Sequence, residues 1–310
     1  MTAFLLAHLS DPHLGPLPSP KLRELLGKRV IGFINWQRSR GLTLRPEILT
    51  TLLDDLKAQG PHHVALTGDL VNIALAAEIP AASAWLQALG PPDWVSLVPG
   101  NHDAYVRGAM RWADTAWSPY MTGDAGMPPP HPPRFPYVRI RGPVAVVGVS
   151  SAIATGFFMA SGKVGREQRA RLGDVLRRLG AERLFRAVLI HHPPIEGATS
   201  WHKRLEDAPA VAAVLAEAGA ELVLHGHTHL PTVHWIEAAT PIPVVGVPSA
   251  SAAPGDRKPP GAYNLFCIRG CAPAWHVELV TRGYGTEGEP FGERRRLALT
   301  RSVVPVTVPP

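Results

Sequence analysis

Short apolar runs alternate with helix-like stretches through the first two-thirds of the chain. Residues 4–9, 63–67, 94–98, 144–148, 185–190 and 222–225 have the length and apolar content that predict strands. Between them, 46–59, 76–89, 166–179 and 208–218 read as helices. Pro46 stands in the first turn of one and Gly60 just past its end. This alternation predicts an α/β fold with much parallel pairing. After His229 the pattern changes. The segments 232–236, 242–247, 262–268 and 274–280 are strand-like, are separated by Pro or Gly, and have no helix between them. They predict a β-rich section that forms or completes a second sheet.

No linker or internal repeat divides the chain. Residues 1–282 are expected to form one domain with an insert at 19–45. The tail, 283–310, either packs as an edge strand or hangs free. The densest proline run, 127–136, holds six prolines and is excluded from helix and central strand. It predicts a stiff surface loop or a rim beside the functional site.

Composition narrows the class. Of 310 residues, 45% are hydrophobic and 18% charged, which excludes disordered and collagen-like chains. No stretch reaches the roughly 18 consecutive apolar residues of a membrane span. The first ten residues carry no basic leader or small-residue cleavage site, so they read as a first strand, and a cytoplasmic location is the expectation. Cys267 and Cys271 make no disulfide framework and lack the usual zinc-knuckle spacing, so they read as packing residues. The net charge of +6 is local: between 21 and 45 there are seven basic residues against one acid, Glu24.

The chemistry lies where strands end. The first run is followed by Asp11-Pro12-His13 and the second by Gly68-Asp69. The third is followed by Gly100-Asn101-His102-Asp103, and later runs end at His191-His192-Pro193-Pro194 and at His225-Gly226-His227-Thr228-His229. Strand carboxyl ends in an open α/β sheet gather at one edge, where ligands bind. A lone Asp there is ordinarily a turn former, and a lone His a satisfied surface or core residue. Seven of the 14 histidines fall in these clusters, however. Imidazole and carboxylate without thiolate suit Mn, Fe, Zn or Co. Two aspartates and several histidines exceed the needs of one tetrahedral ion, so two metals are expected. No Gly-x-Ser-x-Gly or Walker loop is present.

Asp-x-His, Gly-Asp, Gly-Asn-His-Asp, His-His-Pro-Pro and Gly-His-x-His, in this order over about 4–253, resemble the calcineurin-like metallophosphoesterase superfamily. The resemblance implies a four-layer α/β/β/α sandwich of two mixed sheets, with the metal site at the carboxyl ends of the strands. It implies that Asp11, His13 and His229 hold one metal, that Asp69 bridges, and that Asn101, His191 and His227 hold the second. The ions would be divalent or mixed-valence Mn, Fe or Zn, with Mn expected to support activity in vitro. His102 would face the scissile phosphate as a catalytic group, with Asp103 orienting its imidazole. A metal-bound hydroxide would attack phosphorus in line. His191 and His192 are adjacent and diverge in extended chain; the resemblance favours His191. His225 lies outside the ligand pattern and is expected to support the site or the structure.

The insert adds a second theme. Ser19-Pro20 predicts a helix start. Leu22, Leu25, Leu26, Ile31, Phe33, Ile34 and Trp36 are interleaved with Lys28, Arg29, Arg38 and Arg40, while Gly27 and Gly32 allow two short helical pieces. Either this is a helix packed on the domain, or it is a basic amphipathic lip that rests on anionic lipid at the inner membrane surface or admits an acyl-tailed substrate. Similar basic hydrophobic inserts occur in the superfamily's lipid A pathway enzymes that cleave UDP-2,3-diacylglucosamine. The motif set is also similar to bacterial cyclic nucleotide phosphodiesterases. Lys203, Arg204, Arg107 and Tyr105 are candidates to grip a phosphate. The expected function is hydrolysis of a phosphodiester or pyrophosphate bond, in a lipid-linked nucleotide or in a soluble 3′,5′-cyclic nucleotide. A non-catalytic metal-holding scaffold is the alternative of another class. Nucleic acid is not expected as a partner, since no nucleic-acid module is recognised.

Overall fold

The computed structural model describes residues 3–40, 45–124, 132, 134–255, 258–286 and 289–299. Most of the proline run, residues 41–44 of the insert and the last residues of the tail lie outside these. Among the described residues twelve strands form two six-stranded mixed sheets. In the first, β1 (Phe4–Leu9) lies parallel to β2 (His63–Leu66), and β2 is parallel to β3 (Val95–Leu97). On its other side β1 pairs antiparallel with β10 (Ala262–Cys271), followed by β11 (Ala274–Gly283) and β12 (Gly292–Ala298). The second sheet runs β4 (Tyr137–Arg141), β5 (Val144–Gly148), β6 (Phe185–Leu189), β7 (Leu222–His225), β9 (Ile242–Gly246) and β8 (Val233–Ile236), with β5, β6, β7 and β9 parallel.

Alternation along the second sheet explains the layering. Val144, Val146, Phe185, Leu189, Leu222 and Leu224 join the core shared with Leu6, Leu9 and Leu66 of the first sheet. Their neighbours Ala145, Val147, Val188 and Val223 face the other way, under helices α5 (Arg166–Ala181) and α6 (Ala208–Ala218). Strands buried on both faces read as unbroken apolar runs. Helix α5 turns Leu172, Leu176 and Leu179 onto that layer, while most of its remaining surface is charged. Helices α2 (Pro46–Ala58) and α3 (Ile79–Leu89) bring Leu52, Leu56, Ala82 and Leu86 into the larger core with the first sheet. The result is the expected α/β/β/α sandwich.

Several local expectations are corrected. The insert's helix does not start at Ser19-Pro20: a 3-10 turn covers Leu22–Leu25, and the Glu24 carboxylate accepts the Lys21 N–H at 2.8 Å. Gly27, at φ 79°, separates this turn from α1 (Lys28–Asn35), which continues as a π turn over Trp36–Arg40. The stretch 76–89 begins with a 3-10 turn, Ala76–Glu78, before α3. Strand β4 and helix α4 (Met110–Trp117) have no counterpart in the sequence reading. The tail contributes an edge strand, β12. Both cysteines are free, Cys267 buried and Cys271 exposed. Among the described residues no helix is long and apolar enough to cross a membrane.

Candidate metal centre

The parallel strands deliver their carboxyl ends to one edge, and tight main-chain links hold the following loops together. Asp11 N–H donates to Gly68 O at 3.0 Å and His13 N–H to Asp69 O at 3.0 Å, joining the loops after β1 and β2. Gly226 N–H donates to His191 O at 3.1 Å, and His227 N–H to Asp11 Oδ2 at 3.0 Å, which brings in the second sheet. Eight non-glycine residues among those described have positive φ, and five of them are Asp11, His13, Asp69, His227 and His229, at 40–64°. Left-handed backbone is costly for such residues and is held only where surroundings over-determine it. Here it turns each side chain out of the strand direction and into one cluster. Gly226 has no room for a Cβ, which would strike the Ser10 and Asp11 side chains.

Four overlapping triads have donor atoms within 4.8 Å of one another: Asp11/His13/His229, Asp11/Asp69/His191, His191/His192/His227 and His13/Asp69/His102. His229 Nε2 lies 3.1 Å from Asp11 Oδ1, while His191 Nε2 lies 3.4 Å from Asp69 Oδ2 and 3.1 Å from Asn101 Oδ1. Asp69 Oδ2 is also 3.9 Å from His13 Nε2, so it faces both halves of the cluster. Two donors about 2.1 Å from one ion at roughly 90–110° stand about 3.0–3.4 Å apart, so the separations at His229 and His191 fit shared metal coordination. The tautomers agree. His191 Nδ1 donates to Thr67 O at 2.6 Å, which aims Nε2 into the cluster, and His227 Nε2 donates to Lys203 O at 2.9 Å, which leaves Nδ1 for a ligand.

Electrostatics point the same way. Burial opposes the charge of Asp11, but His229, His191 and His13 outweigh it and hold the carboxyl well below its usual range. Burial likewise opposes charge on His191, yet Asp69 lifts that imidazole to about 9. Burial, with His192 and His191 nearby, keeps His227 well below the ordinary histidine value and so neutral. Buried carboxylates among imidazoles form a site whose negative charge calls for cations. The residues therefore fit a pair of ions with N and O ligands.

His102 is held differently. Its N–H donates to Asp69 Oδ1 at 2.6 Å and its Nδ1 to the Asn72 carbonyl. The ring stacks on Tyr105, with centroids 5.4 Å apart, and meets His13 edge-on at 4.8 Å. Asp103 does not orient this imidazole, contrary to expectation. Its carboxylate accepts the main-chain N–H groups of Asp69, Leu70, Val71 and Gly100 at 2.8–3.3 Å. Burial, then the Asp69 charge, pushes Asp103 up to about 7. Asp103 organises the loop that carries Asp69, and Asn72 orients the imidazole through its main chain, a role with no side-chain signal in the sequence.

His192 enters one triad, but both its nitrogens are engaged, Nδ1 with Ser151 Oγ at 2.8 Å and Nε2 with Ala160 O at 3.2 Å. His225 is fully buried, with Nδ1 bonded to Gly226 O at 2.9 Å; burial first of all pulls it down to about 4. It falls in none of the triads found among the described residues. Tyr105 lies beside His102, Lys203 and Arg107 are exposed, and the Arg204 guanidinium lies 4.5 Å from the Trp201 ring centroid. Lys28, not singled out among the phosphate candidates, reaches the same side with Nζ 4.6 Å from the Tyr105 ring centroid. Burial lowers it to about 8, against the pull of Asp69.

A cavity of about 400 Å³ shares a wall with the centre. Pro12, His13 and Leu14 line it together with Leu49 and Leu53 of α2, Trp85 of α3 and the charged Arg45, Asp54 and Lys57. Trp85 Nε1 and Ser251 Oγ, both buried on residues lining it, have no hydrogen-bond partner.

The chain belongs to the calcineurin-like phosphoesterase family, whose sequence pattern it matches over residues 4–231. It is accordingly a phosphoester hydrolase, and its clustered Asp and His side chains offer ligands for divalent metal. Among solved structures it is similar to a dimetal phosphatase from Danio rerio, with 12% identity, 97% of this chain and 100% of that chain covered, and a TM-score of 0.60. It is also similar to the Thermus thermophilus sulfate thiohydrolase SoxB (17% identity, 89% of this chain and 56% of that chain, TM-score 0.50). A third is a purple acid phosphatase from yellow lupin seeds (13% identity, 96% of this chain and 54% of that chain, TM-score 0.50). At these identities the likeness speaks for the fold. No curated protein sequence matches the chain.

Proposed function

We propose that this enzyme hydrolyses a phosphodiester or pyrophosphate bond in an amphiphilic, lipid-linked nucleotide such as UDP-2,3-diacylglucosamine. The observation that supports the substrate class is a cavity to which Pro12, Leu14, Leu49, Leu53 and Trp85 give a mainly apolar lining, with Arg45, Asp54 and Lys57 among the remaining residues, beside the ligand candidate His13. Asp11, His13 and His229 would hold one ion and Asn101, His191 and His227 the other, with Asp69 facing both groups. The donor set suits Mn, Fe or Zn. When bound, the ions polarise the phosphoryl oxygens and make water a nucleophile at neutral pH.

The chain's own part follows from geometry. The Asn72 carbonyl fixes the proton on Nδ1 of His102, so Nε2 is the atom presented to substrate. In the imidazolium form Nε2 donates to the leaving oxygen and neutralises its charge as the bond breaks. Tyr105 backs the ring and limits its rotation. Asp103 keeps four main-chain N–H groups converging, which fixes the Asp69 loop against His102.

The test is to offer the Mn-loaded enzyme UDP-2,3-diacylglucosamine in detergent and, separately, 3′,5′-cyclic AMP. Release of UMP from the first is expected. Turnover of the cyclic nucleotide alone would overturn the substrate assignment, and turnover of neither, nor of any simple phosphodiester, would favour a metal-holding scaffold.

A further inference from the structure

Ten large hydrophobic residues among those described are exposed, and seven of them fall on three elements tied side by side at the metal centre. The first is the insert. Leu22 and Leu26, on the 3-10 turn and at its end, are 87 and 77% exposed, and Val30 and Ile34, one turn apart on α1, are 39 and 38% exposed. The other side of α1 is committed to the domain: a Cβ on Gly32 would strike Tyr105 and Ile73, and Phe33 packs on the core. The exposed stripe is therefore not a packing face waiting to turn inward.

The second element is the 155–159 loop, with Phe157 and Phe158 at 53 and 77% exposure. Lys28 Nζ donates to Thr155 Oγ1 and to Met159 O, each at 2.7 Å, joining it to the insert. Phe158 has φ 60°, an outlier for a bulky residue, and projects its ring into solvent. The third is the 201–204 turn. Ala160 N–H donates to His202 O at 2.8 Å and Gly162 N–H to Arg204 O at 3.1 Å. Trp201 is 67% exposed beneath the Arg204 guanidinium. Two of these elements are hung on the centre itself, since Ala160 O accepts from His192 and Lys203 O from His227.

We propose that these three elements form a docking surface for an anionic lipid bilayer. Exposed apolar residues on a soluble domain are ordinarily scattered, whereas here they are concentrated and protrude as knobs. Cations stand among them: Lys21, Arg23 and Arg38 on the insert and Lys203 and Arg204 on the turn, with Glu24 the single acid between 21 and 45. Aliphatic and aromatic side chains that enter the headgroup region, ringed by Lys and Arg, match the two attractions an anionic membrane offers. The inference does not depend on which phosphoester is cleaved.

The test measures co-sedimentation of the Mn-loaded full chain with vesicles of phosphatidylglycerol and phosphatidylcholine, and with vesicles of phosphatidylcholine alone. The parent is expected to bind the anionic vesicles, more weakly as salt rises, and the neutral ones poorly. Phe157→Ser/Phe158→Ser is expected to weaken partitioning by about tenfold or more. Lys21→Gln/Arg23→Gln is expected to cost about fivefold per cation. Both variants should keep the parent's hydrolysis of bis(p-nitrophenyl) phosphate, which separates docking from folding and from chemistry. No binding to anionic vesicles, equal binding by parent and the Phe variant, or equal binding to neutral vesicles would overturn the proposal. Self-association of a parent that ignores vesicles would assign the surface to a second copy instead.

Discussion

The main-chain N–H of His102 donates to Asp69 Oδ1 at 2.6 Å, while Asp69 Oδ2 faces His191 at 3.4 Å and His13 at 3.9 Å. One carboxylate thus ties the main chain of His102 to both halves of the Asp/His cluster. His102→Ala removes the imidazole and leaves this main-chain bond in place. It is expected to lower kcat by about 10²–10⁴ with metal content unchanged. Undiminished hydrolysis would remove His102 from the mechanism.

Asp103 acts on main chain, and its substitution should betray that. Asp103→Ala strands four buried N–H groups, so stability should fall by about 3–5 kcal/mol, read as a lower Tm, and metal should bind more weakly. A variant that melts like the parent but shows a shifted pH–rate profile would instead restore the role of orienting His102.

Gly226 offers a test of the left-handed turn. Gly226→Ala would push against Ser10 and Asp11 and move His227, whose N–H is bonded to Asp11. Metal affinity should drop by about ten- to a hundredfold, as for lost supporting contacts, while far-UV circular dichroism stays unchanged.

Acid stability has a traceable contributor away from the site. Asp55 accepts from Arg282 Nε and Nη2, each at 2.7 Å, and from Tyr263 OH at 2.6 Å. Burial opposes its charge, but these donors prevail and lower its pKa in the folded state. A carboxyl depressed on folding stabilises the native state above its unfolded pKa of about 3.9, and that contribution is lost as pH falls through the folded value. Asp55→Asn should therefore be less stable than the parent near neutrality, by about 1–3 kcal/mol. The gap should close below about pH 4. Denaturant melts at both pH values check this; a gap constant with pH would contradict it.

Much of the site was legible because parallel strands carry their chemistry at their ends. Asp11, Asp69 and Asn101 follow parallel strands of the first sheet and His191 and His227 parallel strands of the second, so each sheet presents its share at its carboxyl edge, and the packing of the two sheets joins them. What escaped the sequence reading acts through main chain or on polar edges. The role of Asp103 depends on N–H groups that every residue possesses, and Asn72 contributes a carbonyl. Strand β4 was hidden by Arg139, a buried guanidinium that donates to the carbonyls of Thr122, Val95 and Pro119 at 2.6–2.7 Å. Strand β12, an edge with three consecutive arginines, has no apolar alternation to show. Ser19-Pro20 suggested a helix start, but the pairing of Glu24 with the Lys21 N–H governs where the first turn begins.

Hydrolysis by this chain is expected to need two ions that share Asp69. Mn(II) should be titrated into metal-free parent and Asp69→Ala, following ions bound per chain together with hydrolysis of bis(p-nitrophenyl) phosphate. The parent is expected to bind two ions per chain and to gain activity with the second. Asp69→Ala should bind fewer and hydrolyse at least about a hundredfold more slowly. A parent fully active without metal, or an Asp69→Ala variant that matches it in ions and rate, would contradict the account.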